Sequence, residues 1–303
     1  MKNKLENLFI KYPFLRINED YYEYLEPNYY NDILKEYSFN GKSDLEIFTE
    51  WLRNNIGKRK ELNVLELGCG SGRATDEALK VFKEKYNLDV LDLSSQMLDY
   101  CKKKYVNNNN IKYIKSDTIE YLGNSLKKYD IVYSLWSYSH SIHQILPNMG
   151  YEIGKEFIDN SLKRFITNNL EHNGKMYIIH FDSMSDEQKI LMHEWKKLYE
   201  IFIDSDVNQS PSFIITNDIL KELKNNGIIN YKIEHLIGDE IEYKDINEAL
   251  EVFLNFHMES EFNTLDILPE VIDDLINYFE KYKTIDNKIC IKPGCFIITI
   301  NKV

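Results

Sequence analysis

Long apolar runs are missing from this chain of 303 residues. No segment approaches the roughly 18 consecutive apolar residues of a membrane-spanning helix, so no membrane partner is expected. The opening stretch "MKNKLENLFIKYPFLR" has neither the apolar core nor the small-residue cleavage site of a secretory signal. Cysteine is scarce. Cys69, Cys101, Cys290 and Cys295 form no CxxC pair and no His/Cys cluster, which argues against a structural zinc and leaves no metal in the reading. Positive charge is short too: 37 Lys and Arg stand against 49 Asp and Glu, a formal net charge of −12. An acidic chain without a clustered basic face is a poor partner for nucleic acid. The expectation is a reduced, soluble, cytoplasmic protein.

What the chain does have is alternation. Residues 1–42 are rich in aromatics and carboxylates, as in "EDYYEYLEPNYYNDILKEY", and "SDLEIFTEWLRNNIG" reads as a helix capped by Ser43 or Asp44. From residue 62 short apolar strands alternate with helices: "NVLEL", "LDVLDLS", "IKYIKSD", "YDIVYSLWS" and "GKMYIIHFD" are strands. Helical patterns lie between them, clearest in "GKEFIDNSLKRFITNNL". Such alternation argues for an α/β fold, a mostly parallel sheet covered on both faces. The expected organisation is a helical N-terminal cap over residues 1–60 and one α/β domain over 61–303, with helical insertions about 183–213 and 238–292.

Between the first strand and its helix lies Gly68-Cys69-Gly70-Ser71-Gly72, with Glu66 two residues before the first glycine. The spacing is G-x-G-x-G, not the G-x-G-x-x-G of a dinucleotide fingerprint. A tight loop that offers backbone N–H groups suits a diphosphate, and equally a ligand with a carboxylate and a ribose. Asp92 ends the second strand, where a carboxylate can accept ribose hydroxyls. Asp117 follows the third strand, where it or Thr118 can meet an adenine edge. Each feature alone has a plainer explanation, since glycine triplets make turns and strand-end Asp residues cap helices. Together they mark three successive strand ends, where ligands of open α/β sheets bind.

In these motifs, "VLELGCGSG", "LDLSSQML", "SDT" and "YDIVYSLWS", the chain resembles the class I S-adenosylmethionine-dependent methyltransferases. The likeness covers residues 62 to about 237, and the final strand more weakly. It implies a seven-strand, doubly wound, Rossmann-like sheet whose last strand is antiparallel, with S-adenosylmethionine as the cofactor. It implies that Glu66 and the backbone of the loop at Gly68, Gly70 and Gly72 hold the methionine moiety. Asp92 would hold the ribose with Leu93 and Met97 beside it, Asp117 and Thr118 would meet the adenine, and Ser134 and Leu135 would lie near the sulfonium methyl. The stretch from about 238 to 292 departs from the family by its length, so the acceptor side is not read from the family core.

The segment "SLWSYSHSIHQ" follows the fourth strand. Methyl transfer needs alignment, exclusion of water, and a group to take a proton when the acceptor is a hydroxyl or an amine. His140 and His143 are the candidates for that base, against the plainer reading that each is a structural hydrogen-bonder. Tyr21, Tyr29, Trp136, Tyr138 and His257 are candidates for the acceptor pocket, Tyr21 and Tyr29 as part of an N-terminal lid formed by Tyr21, Tyr22, Tyr24, Tyr29 and Tyr30 or as ordinary packing. The segment lacks the Asn/Asp-Pro-Pro-aromatic and Pro-Cys signatures of nucleobase methylation. The reading is a monomeric or homodimeric methyltransferase acting on an amine nitrogen or hydroxyl oxygen of a small molecule. The alternatives are a peptide or protein side-chain methyltransferase, and a catalytically inactive S-adenosylmethionine-binding protein.

Overall fold

The computed structural model describes residues 2–17, 27–57, 61–82, 85–203 and 208–303. Its centre is one sheet of strands β1 (Glu61–Leu67), β2 (Lys85–Asp92), β3 (Ile111–Lys115), β4 (Tyr129–Leu135), β5 (Leu170–Phe181), β6 (Ile229–Ile237) and β7 (Gly294–Lys302). The spatial order is β3-β2-β1-β4-β5-β7-β6. Strands β1 to β5 run parallel to their neighbours, while β7 is antiparallel to both β5 and β6. The order reverses between β1 and β4, and that switch point opens a crevice at the carboxyl ends of the strands.

Side chains alternate across the sheet and feed two cores. Leu62, Val64, Ile131, Tyr133 and Tyr177 belong to one face. Leu65, Leu67, Val132, Met176 and Ile178 belong to the other. Twelve α-helices surround the sheet or extend from it among the described residues: α1 (Lys2–Lys11), α2 (Pro27–Leu34), α3 (Asp44–Asn55), α4 (Arg73–Val81), α5 (Ser95–Lys104), α6 (Thr118–Asn124), α7 (Ser137–Met149), α8 (Tyr151–Asn168), α9 (Asp186–Trp195), α10 (Pro211–Asn225), α11 (Ile246–Val252) and α12 (Leu268–Phe279). The face of β1 that carries Val64 is covered by α3, α4 and α5, and the opposite face by α6, α7, α8 and α10.

Local chemistry sets several helix starts. Ser43 caps α3 in a reciprocal capping box, its Oγ accepting the Glu46 N–H while the Glu46 carboxylate accepts the Ser43 N–H. Ser94, Asp117 and Ser185 cap α5, α6 and α9 through their side-chain oxygens. Pro211 opens α10, where its missing N–H costs nothing. The segment between β6 and β7 holds an antiparallel ribbon, Ile241–Tyr243 with Ile289–Ile291, and between its strands α11, a turn of π-helix at Phe253–His257, and α12. The sequence indicates two helices there but not the ribbon. The segment after β4, read above simply as a stretch following the strand, is the helix α7, so His140 and His143 stand about one turn apart.

Candidate cofactor and acceptor site

The glycine loop leaves β1 with the Gly68 and Cys69 N–H groups both donating to the Leu91 carbonyl of β2, at 2.8 and 2.9 Å. Gly68 has φ +72°, and a Cβ there would lie 2.1 Å from Ser137 Oγ. Only glycine fits. Gly70, at φ +49°, differs: a Cβ there would meet nothing within 4 Å. Its open side faces unfilled space at the top of the sheet, room for a ligand to approach the backbone. Gly72 is the N-cap residue of α4, with φ +81°.

Asp92 closes the same loop from the end of β2. Its Oδ2 accepts the Gly70 N–H at 2.7 Å and its Oδ1 the Ser94 N–H at 2.9 Å. Burial raises its pKa, against the lowering effect of those backbone donors. Glu66 is buried on the other side of the loop, where Thr75 and Tyr133 donate to its Oε2 at 2.6 and 2.9 Å. Burial pushes its carboxyl up to about 8, with no basic side chain among the contributing groups. Leu93 is half-buried and Met97 buried. Asp117 Oδ1 accepts the N–H groups of Ile119 and Glu120, so the capping role weighed above is realised, and Thr118 is buried behind it. Ser134 Oγ donates to the Leu67 carbonyl at 3.1 Å and accepts the Tyr138 N–H. Leu135 is half-buried beside it.

Beyond β4 the chain turns through Trp136 in the left-handed region, φ +71°. Its indole N–H donates to Asp44 and its ring lies against Phe39 and Tyr37. Helix α7 then presents two histidines. His140 Nε2 lies 2.9 Å from Gln144 Nε2 and 3.4 Å from Glu259. His143 lies between Phe181 and Phe202, ring centroids 5.3 and 4.8 Å away. Its Nε2 is buried with no partner among the described residues. Burial pushes its pKa well down, helped by the neighbouring His180 and His140, so the ring is neutral at ordinary pH. Tyr138 is a different case. It is fully buried in the core, its hydroxyl 3.2 Å from Thr216 of α10. It forms a stripe with Ile142 and Leu146 that packs α7 on the sheet. The acceptor-pocket reading of Tyr138 is therefore corrected to core packing.

The hydroxyl of Tyr29 in α2 and Nε2 of His257 in the π-turn are buried without a hydrogen-bond partner among the described residues, and His257 Nε2 lies 3.7 Å from Glu187 Oε2. Tyr21, Tyr22 and Tyr24 lie outside the described residues, as does the side chain of Tyr30. Residues that the sequence reading passed over complete the frame. Asn31 of α2 reaches the glycine loop, where Ser71 Oγ donates to its Oδ1 at 2.5 Å. Arg73, on the first turn of α4, makes a two-pronged pair with the fully buried Asp44 at 3.0 and 3.1 Å. The Ser43–Glu46 spacing signals the start of α3, but nothing local in the sequence shows that Asp44 faces inward toward Arg73 and Trp136.

The family described as "Methyltransferase domain" matches residues 64–152, the span from within β1 to the start of α8. Over this stretch the chain is similar to methyltransferase domains. The methyltransferase reading is also met in curated relatives. Malonyl-[acyl-carrier protein] O-methyltransferase 1 of Ilyobacter polytropus is 37% identical over 90 residues, 30% of this chain and 30% of that protein. Malonyl-[acyl-carrier protein] O-methyltransferase of Halalkalibacterium halodurans is 35% identical over 71 residues, 23% of this chain and 26% of that protein. The matched region thus spans under a third of the length of either relative. Among solved structures, the YcgJ protein from Bacillus subtilis has a TM-score of 0.52 at 12% identity, covering 85% of this chain and 98% of that one. That likeness concerns the fold. The methyltransferase fold expected from the motifs, with its seven strands and antiparallel last strand, is the one observed.

The residues present fit the methyltransferase donor. Gly70 leaves its outward side open, and Asp92 and Glu66 flank the loop with acceptor oxygens.

Proposed function

We propose that this methyltransferase acts on a small molecule, at an amine nitrogen or a hydroxyl oxygen. The single observation that carries the reading is the unpartnered, neutral His143 Nε2, buried on the helix that follows β4, at the carboxyl end of the sheet. A buried polar atom left without a partner costs about 1–3 kcal/mol. That cost is offset when the atom meets an acceptor proton.

S-adenosylmethionine supplies the methyl group when bound. The chain's own contribution is to hold and to orient. Glu66 and the backbone at Gly68, Gly70 and Gly72 hold the amino-acid tail. Asp92 accepts from the ribose, with Leu93 and Met97 against it. Asp117 and Thr118 border the adenine end, and Ser134 and Leu135 border the reacting end. His143 Nε2 takes the proton that the acceptor gives up, and His140, paired with Glu259 from the roof, stands one turn earlier. Trp136, Tyr29 and His257 wall the acceptor side. Residues 1–60, and the insertions about 183–213 and 238–292, serve as the roof. A cytoplasmic protein, monomeric or homodimeric, belongs to the same reading.

The curated relatives are named as O-methyltransferases of a carrier-bound acid. Their similarity extends over less than a third of this chain, so it supports methyl transfer more than a particular acceptor. The test is a panel of amines and phenols incubated with donor labelled in its methyl group. Label in a small-molecule product, lost in the His143→Ala variant, supports the reading. Label only in peptides or proteins, or tight donor binding with no turnover on any acceptor, overturns it.

A further inference from the structure

Glu187 stands on the first turn of α9 and is buried at 3% exposure. Its two oxygens accept from neutral groups: Oε1 from the Gln188 side-chain amide at 3.1 Å, Oε2 from the Tyr37 hydroxyl. Beside Oε2, at 3.7 Å, lies His257 Nε2. That nitrogen makes no hydrogen bond among the described residues, and its side chain is 6% exposed. Burial lowers the His257 pKa, with Glu187 opposing, so the ring is neutral at ordinary pH. No Lys or Arg among the described residues pairs with Glu187. A buried carboxylate surrounded by neutral donors is poorly compensated. Buried Asp44 and Asp89 differ, being paired with Arg73 and Lys127; the nearer likeness is Glu66 at the glycine loop, which is also buried among neutral donors.

The position of the cluster matters as much as its charge. Tyr37 lies edge-on to Trp136 with ring centroids 5.9 Å apart, and Trp136 is the first residue beyond β4. Burial raises the pKa of nearby Tyr243, and Glu187, Glu248 and Tyr29 add to that rise. Helix α9, the π-turn and Tyr37, which follows α2, therefore bring a carboxylate, a ring nitrogen and an aromatic face together, and Tyr37 joins them to the turn after β4. Aromatic faces and a carboxylate are the elements that hold an organic cation.

We infer that Glu187, with Tyr37 and His257, is the recognition point for a cationic amine group of the methyl acceptor. The inference rests on the proposed function above and narrows its acceptor class from amine or alcohol to a molecule that carries an ammonium. The recognised ammonium and the reacting atom are separate questions. Glu187 binds and orients, and no bond is made or broken at its carboxylate.

The experiment uses the full chain saturated with S-adenosylhomocysteine and a panel of primary-amine fragments, each matched to its neutral alcohol. Binding is read by calorimetry, so the result does not depend on turnover. In the wild type, at least one amine binds about tenfold or more tightly than its alcohol, and Glu187→Gln removes that preference with S-adenosylhomocysteine affinity unchanged. Tyr37→Phe, which keeps the carboxylate, leaves the amine preferred over its alcohol. The inference is overturned if no amine in the panel is preferred over its alcohol, or if Glu187→Gln keeps the preference. Failure of the broader reading looks different: amines are preferred as described, yet no labelled methyl group reaches any small molecule.

Discussion

The indole nitrogen of Trp136 donates to Asp44 Oδ2 across 2.9 Å, tying the turn after β4 to the first turn of α3. The same carboxylate accepts two bonds from Arg73 of α4. One buried side chain thus fixes the N-terminal cap, the helix behind the glycine loop and a residue held at φ +71°, a backbone state that costs roughly 1–3 kcal/mol and persists only where its surroundings enforce it. Asp44→Ala leaves the Arg73 guanidinium and the Trp136 N–H without their acceptor. The expected loss is about 3 kcal/mol of unfolding free energy, read from urea melts at constant slope. A loss under about 1 kcal/mol, the range of an exposed pair, would show that the junction is loosely held.

The glycines of the loop separate into two kinds. Gly68→Ala drives a Cβ into Ser137, 2.1 Å away, so the variant should melt earlier and bind S-adenosylhomocysteine poorly. Gly70→Ala places its methyl in open space. It should stay folded, with only the modest backbone cost of a left-handed alanine, yet lose ligand affinity because the methyl occupies the approach to the backbone. Equal affinity in Gly70→Ala and the wild type would mean that the donor does not lie over that residue.

Glu66 makes stability depend on pH with a sign that can be worked out. Its carboxyl sits at about 8 in the folded chain against an ordinary 4.5, because burial favours the neutral form. A raised folded pKa gives stability that is fully present below the unfolded value and is lost as pH rises through the folded one. The thermal midpoint should therefore fall between about pH 5 and 8, and Glu66→Gln should flatten that part of the curve. Ligand binding adds a second readout. An ammonium placed near Glu66 favours its charged form, so binding at pH 7 should release a proton, seen as a calorimetric enthalpy that varies with the buffer. Identical pH slopes in wild type and variant would remove the burial argument.

For His143 the pH argument runs the other way. Burial lowers its pKa well below the ordinary 6.5, so the base form persists into acid. The acid limb of kcat/KM should lie below pH ~6.5. His143→Ala should lower kcat by about 100-fold or more with S-adenosylhomocysteine affinity unchanged. His140→Ala should have the smaller effect on kcat, since that ring is partnered by Gln144 and Glu259. Wild-type rates in both variants would discard a histidine base.

Much of the cofactor side was legible because its signals are local. The loop glycines, Asp92 and the alternating strands lie within short stretches of sequence, and each strand end points at the same crevice. The acceptor side was less legible because it is assembled from distant segments. Of the residues proposed to recognise the acceptor, His257 is named from the sequence, while Tyr37 and Glu187 come from other parts of the chain that no periodicity links to it. Asp44 was readable only as a helix-start residue, since its burial depends on Arg73 and Trp136. Tyr138 was a different failure. Its spacing with Ile142 and Leu146 is a helical stripe visible in the sequence, passed over because the segment was read only as a stretch following the strand.

The most direct test of the whole account is a calorimetric titration of S-adenosylhomocysteine into the wild-type chain and into Asp92→Ala. The account predicts one site per chain in the wild type and an affinity about 10- to 100-fold weaker in the variant, the loss of charge-assisted acceptors for the ribose. No binding by the wild type, or equal affinity in the two proteins, would contradict it.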